Sequence, residues 1–137
     1  LDPEFMDEDF TAEDFKDSIV IFDDVDVFPK HVKKNVMNIV NSILTIGRHF
    51  NVSICFTVHN PNKGAETKIL LTEANIITVF AKTTGNASLK YLLDNYLGLD
   101  GKQIKQIKKM KSRAVSIIRG YPIVILGEKE AFLAHEL

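Results

Sequence analysis

Cysteine is almost missing from this chain. Cys55 stands alone among 137 residues, so no internal disulfide framework exists and a reducing compartment is the expected setting. No Cys/His cluster has the spacing of zinc ligands. Long apolar runs are also missing, and none approaches the roughly 20 residues needed to cross a bilayer as a helix. Charge of one sign is not in excess: 17 basic and 18 acidic residues leave a net charge of −1. The whole chain therefore gives no electrostatic argument for nucleic acid or a membrane surface. What remains is 45% hydrophobic and 26% charged, ordinary for a globular chain the size of one domain.

Leu1 to Phe5 reads as the translation of adjoining BamHI and EcoRI cloning sites, a scar to be set aside. Met6 would begin the insert, which suggests a piece cut from a longer protein. Residues 6–17 form an acidic lead-in in which Thr11 to Asp14 has capping-box spacing and predicts a short helical turn. The pattern then predicts a strand over Ile19 to Phe22 and a long helix after Pro29, with Val32, Val36, Ile39, Val40, Ile43 and Leu44 on one face and a stop near Gly47. A second strand is expected over Val52 to Val58, with Cys55 as a small core residue. Asn60 to Gly64 is a loop by composition. A short helix over Glu66 to Glu73 and a strand over Ile76 to Phe80 follow.

Farther along, Leu89, Leu92, Leu93 and Tyr96 share a helical face, and Gly98 suits the residue just past its end. Asp100 caps a last helix whose apolar stripe is Ile104, Ile107 and Met110. Lys102, Lys105, Lys108 and Lys109 fall on the opposite face. Ala114 to Ile118 and Ile123 to Leu126 are strands around Gly120-Tyr121-Pro122, a hairpin. The tail from Glu128 is at most weakly helical. This alternation predicts an α/β fold.

The chemistry concentrates at strand ends. Ile19-Val20-Ile21-Phe22 runs directly into Asp23 and Asp24. A short continuous apolar run reads as a strand buried on both faces of a parallel sheet, and such sheets bind ligands beyond the carboxyl ends of their strands. Paired carboxylates there can hold a hard cation such as Mg²⁺. If the first two strands are parallel neighbours, Thr57, His59 and Asn60 share that rim. Arg48 precedes the second strand and belongs at the opposite end, a better position for reaching another subunit.

These residues carry a family resemblance. The run Ile19 to Asp24 matches the Walker B pattern of four apolar residues followed by two acids. Gly47-Arg48-His49, the apolar strand after it, and Thr57-Val58-His59-Asn60-Pro61 are similar to the arginine and sensor segments of the packaging ATPases of nucleocytoplasmic large DNA viruses, in the FtsK/HerA group of P-loop motors. Thr67 to Asn75 also resembles the viral branch. The resemblance spans residues 18–126, with residues 127–137 as a tail. It implies a partial RecA-like (P-loop NTPase) three-layer sheet with helices on both faces, plus a C-terminal β-hairpin.

It further implies that Asp23 holds Mg²⁺, that Asp24 stands where the family has its second acid, and that His59 occupies the sensor position. Thr57 and Asn60 would line the nucleotide site, and Arg48 would act on a neighbouring subunit's phosphoryl group. Asp24 is one methylene shorter than the usual glutamate, and His59 replaces the usual glutamine. Mg²⁺ and ATP would be cofactors of the intact parent, with neither tightly bound to this piece. Double-stranded DNA, a homo-oligomeric ring and capsid proteins would be its partners, in the host cytoplasm's viral factory or in the virion. Lys102, Lys105, Lys108 and Lys109 are the candidate DNA contacts; a solvated helix face is the plainer reading.

No Gly-x-x-x-x-Gly-Lys-Ser/Thr phosphate loop occurs in the sequence, so the piece alone is expected not to hydrolyse ATP. The strand edge left without that loop's strand is expected to self-associate. Two alternatives stay open: a haloacid-dehalogenase-like phosphatase using Asp24 and Asp26, and a non-enzymatic α/β interaction module.

Overall fold

The acidic lead-in settles first into a helical turn. In the computed structural model, which describes residues 9–59 and 65–137, Ala12–Phe15 is one 3-10 turn. The Asp14 carboxylate reaches back to the Thr11 amide at 2.7 Å and accepts the Thr11 hydroxyl at 3.0 Å. These bonds hold the Asp14 carboxyl below its ordinary pKa. The chain divides into two compact units, residues 1–59 and 60–137.

In the first unit, β1 (Ile19–Phe22) and β2 (Ser53–Phe56) lie parallel. Parallel neighbours need a crossover, and α1 (Lys30–Ile46) supplies it. Pro29 sits at its N-cap, one residue earlier than a first helical position. Val36, Met37, Ile39, Val40 and Ile43 are the buried face of α1. Ile39 and Ile43 form a core with Ala12, against which Phe10, Phe15, Val20, Phe22, Phe50, Val52 and Ile54 pack. The Ala12 amide donates to Ser42 Oγ at 2.9 Å, which ties the lead-in turn to α1.

The starts of the two strands are pinned together. Asp17 and Asn51 both adopt left-handed backbone, tolerated best by short polar side chains and glycine. Asn51 Nδ2 donates to Asp17 Oδ1 at 3.0 Å, and the Asp17 amide donates to the Phe50 carbonyl at 3.0 Å. The ladder register follows, with Val20 opposite Ile54 and Phe22 opposite Phe56.

This sheet departs from the sequence expectation in one respect. Its strands are covered on one face, and Ile19 and Ile21 on the other are 70% and 67% exposed. Cys55 shares that outer face and is exposed, which corrects its reading as a core residue. A run of four apolar residues cannot by itself distinguish one covered face from two.

The second unit begins with α2 (Ala65–Glu73) and β3 (Ile76–Val79). Two helices follow, α3 (Asn86–Asn95) and α4 (Gly101–Lys109), then β4 (Val115–Ile118), β5 (Val124–Leu126) and β6 (Ala131–Leu133). The sheet order is β3-β4-β5-β6, all antiparallel. Ile77, Val79, Val115, Ile117 and Ile125 face a core shared with Leu89, Leu92 and Leu93 of α3 and Ile104 and Ile107 of α4.

The molecule is therefore a mixed α/β structure whose parallel and antiparallel strands belong to separate sheets. The expected hairpin around Gly120 to Pro122 is present, but Ile76 to Val79 joins it instead of extending the β1–β2 sheet. The tail, read as weakly helical, supplies the edge strand β6 and a final 3-10 turn, Ala134–Glu136. Glu128 and Glu130 accept the amides of Arg113 and Lys111 at 3.0 and 3.1 Å, tying the β5–β6 turn to the end of α4.

Candidate functional site at the carboxyl ends of the parallel strands

Because β1 and β2 run parallel and in register, their last residues open onto one rim. The ladder closes with the Thr57 amide donating to the Phe22 carbonyl at 3.0 Å. Immediately beyond it, Thr57 Oγ1 donates to Asp23 Oδ1 at 2.6 Å, and the Asp24 amide donates to the same hydroxyl at 3.2 Å. Asp24 itself adopts left-handed backbone, φ 52°. The chain turns there into the 3-10 turn Val25–Val27, which contains Asp26. Val25 is buried and anchors the turn.

The two carboxylates thus part company. Asp23 faces Thr57, whereas Asp24 Oδ1 meets His59 Nε2. A carboxylate only accepts, so His59 carries a proton on Nε2 in this arrangement. The His59 and Asp24 side chains are 73% and 52% exposed, and in that much water the pair contributes little stability.

Asp23, Asp24, Thr57 and His59 are therefore together. Asn60 lies outside the described residues. Arg48 is apart from them, exposed in the 3-10 turn Gly47–Phe50 that precedes β2.

The donor set decides which cation could suit this rim. Among the described residues no group of three or more His, Cys, Asp or Glu side chains is placed to hold a metal, so a protein-caged ion does not fit. Mg²⁺ asks for less: one or two carboxylates, with water and substrate phosphates completing its shell. The Asp23 carboxylate, tied through one oxygen only among the bonds above, fits that pattern of hard oxygen ligation.

On the second unit, α4 carries the lysines. Its N-cap is built as the sequence predicts: Asp100 accepts the Lys102 and Gln103 amides at 2.7 and 2.9 Å, and Gln103 reaches back to the Asp100 amide at 2.8 Å. With Ile104 and Ile107 turned into the core, Lys102, Lys105 and Lys109 are exposed. Lys108 is half-buried and donates to Asn86 Oδ1 at 2.7 Å.

Arg119 has another task. Its guanidinium donates to the carbonyls of Thr72 (2.5 Å), Ala74 (3.2 Å) and Tyr96, holding the C-terminal ends of α2 and α3. Nothing local in the sequence announces this, because the partners lie 23 to 47 residues away. Arg113 has its guanidinium 6.0 Å from the centre of the Phe80 ring.

Two comparisons with known proteins bear on this rim. Residues 2–69 match the family described as Zonular occludens toxin (Zot), a stretch that includes Asp23, Asp24, Thr57 and His59. A protein of Sputnik virophage, named "Uncharacterized protein V3", is 40% identical over 134 residues, covering 96% of this chain and 54% of that protein. The chain thus spans about half the length of this curated relative. No solved structure matches. The matches carry neither the FtsK/HerA name nor that of a packaging ATPase. They establish similarity to the Zot family over residues 2–69 and to a virophage protein along nearly all of the chain. Among the described residues, no helix is long and apolar enough to cross a membrane.

Proposed function

We propose that this chain supplies the Walker B and sensor portion of an ATP-driven motor that moves double-stranded DNA into a viral capsid. One observation carries the reading: two parallel strands end in register so that Asp23 and Asp24 stand beside Thr57 and His59. Similarity to the Zot family over residues 2–69, the stretch that holds the rim, and to a virophage protein supports it. In this reading Asp23 would hold Mg²⁺, and Asp24 with His59 would orient the water that attacks the terminal phosphate. The bound ion would neutralise charge on the nucleotide's phosphates. Arg48, at the far end of β2, would serve a neighbouring subunit of a ring. The exposed Lys102, Lys105 and Lys109, with Lys108 beside them, would meet the phosphate backbone of DNA. The virion or a viral factory in the host cytoplasm would be its place of action.

The missing phosphate loop belongs to the same proposal. A longer parent would supply a glycine-rich loop, its lysine, and the strand and helix that carry them. This partial RecA-like arrangement accounts for the bare side of the β1–β2 sheet, because parallel sheets are normally covered on both faces. It also accounts for a two-stranded sheet with open edges, which favours self-association of the piece alone.

The test compares this chain with such a parent. The chain alone should release no phosphate from Mg-ATP. The parent should turn over, and Asp23→Asn or Asp24→Asn should slow it by roughly 100-fold or more. In the same parent, Lys105→Glu with Lys109→Glu should weaken DNA binding and flatten its salt dependence. Motor-like turnover by this chain alone, or an inert parent with DNA present, refutes the proposal.

A further inference from the structure

We propose that Thr57 is a positioning residue that fixes which oxygen of Asp23 is offered to a divalent cation; this rests on the reading of the rim as a magnesium site. Thr57 engages three consecutive residues of the other strand's end. Its amide donates to the Phe22 carbonyl at 3.0 Å. Its hydroxyl donates to Asp23 Oδ1 at 2.6 Å and accepts the Asp24 amide at 3.2 Å.

The direction of each bond follows from the groups. A backbone amide only donates, so it must take a lone pair of the hydroxyl. The hydroxyl has a single proton, and the Asp23 carboxylate beside it only accepts. The proton therefore points at Oδ1, at a length usual for a hydroxyl bonded to an ionised acid.

An aspartate at an exposed strand end is otherwise loosely held. The torsion of its carboxylate is broad and roughly two-fold, so either oxygen could turn outward. The Thr57 bond removes that choice: Oδ1 is held against β2, and Oδ2 is left for a cation or its bound water. The bond needs the parallel register, since Thr57 and Asp23 each lie one residue past their strand. It also needs the left-handed turn at Asp24, which sends the second carboxylate toward His59. Groups that orient a metal-binding side chain typically change metal affinity by roughly 10- to 100-fold.

Mn²⁺ alone is the probe, added to the ¹⁵N-labelled chain while amide broadening is followed at residues 22–25 and 56–59. Wild type should show broadening confined to this rim and reversed by excess Mg²⁺. Asp23→Asn should abolish it. Thr57→Val keeps the shape and the amide bond to Phe22 but neither hydroxyl bond, and should weaken Mn²⁺ binding roughly tenfold while the Asp24 amide exchanges faster with solvent. Thr57→Ser keeps the hydroxyl and should match wild type. If the valine variant loses amide protection along β2, Thr57→Ala replaces it and should weaken binding equally.

Wild-type Mn²⁺ affinity in a folded valine or alanine variant overturns the positioning role and leaves the cation site standing. A serine variant as weak as valine also overturns it, because the methyl group would then be responsible. Absence of rim-localised, Mg²⁺-reversible broadening in wild type overturns the cation site and the positioning role together.

Discussion

Replacing Arg119 with alanine should cost the second unit about 3 kcal/mol. The side chain makes three charge-assisted bonds, to the carbonyls of Thr72, Ala74 and Tyr96. Bonds of this kind contribute about 1.5–3 kcal/mol each when removed singly. Arg119 is only half-buried, and water would reach some of the released carbonyls, so the sum is discounted to about one strong bond plus the lost helix-end charge. Arg119→Lys should recover less than half, because an ammonium cannot span carbonyls from two helices as a planar fork does.

The chain has no tryptophan, and its three tyrosines are Tyr91, Tyr96 and Tyr121, all in the second unit. Tyrosine emission in urea therefore reports that unit alone. With a slope of about 1–1.5 kcal/mol/M for a unit this size, the midpoint for Arg119→Ala should fall by roughly 2 M. A midpoint within 0.3 M of wild type (about 0.5 kcal/mol), or a lysine variant equal to wild type, would refute the assignment of Arg119 as the clasp between α2 and α3.

Gly127→Ala should destabilise the same unit by about 1–3 kcal/mol, since a Cβ there would lie 2.3 Å from Ser112 Oγ and 2.8 Å from Met110 Cε; an unchanged urea midpoint contradicts this. Cys55 should react with a thiol reagent in the folded chain nearly as fast as in urea, because it is exposed on the outer face of β2; strong protection would mean that face is covered. Asp14 should titrate below its ordinary value of 3.8 because Thr11 donates to its carboxylate. The stability it adds is thus full above that value and lost as pH falls through the folded-state value, and NMR titration with Asp14→Asn as reference checks it.

Much of the fold could be read before the structure. The helix spacing from Val32 to Leu44, the cap at Asp100 and the hairpin around Tyr121 are local signals, and local physics decides them. The grouping of strands is not local. Ile76 to Val79 alternates exposed and buried, a period-two pattern of a half-covered strand, and the core supplied by α3 and α4 draws it to β4. Ala131 to Leu133 is too short to announce a strand, and exists because β5 offers an unpaired edge. At the rim, parallel strand ends made the company of Asp23, Asp24, Thr57 and His59 readable. The division of the two carboxylates between a hydroxyl and an imidazole was not, because it depends on the turn at Asp24.

The pairing of Phe22 with Phe56 gives the rim a role in assembly as well as in chemistry. A slip of one residue would turn the slipped strand's phenyl ring to the opposite face, away from its partner ring. A slip of two would restore the faces but carry Thr57 roughly 6.6 Å away from Asp23. Only one alignment satisfies the aromatic faces and the acid–hydroxyl pair at once, so the strands proofread their own registration at the place where the ligand would bind.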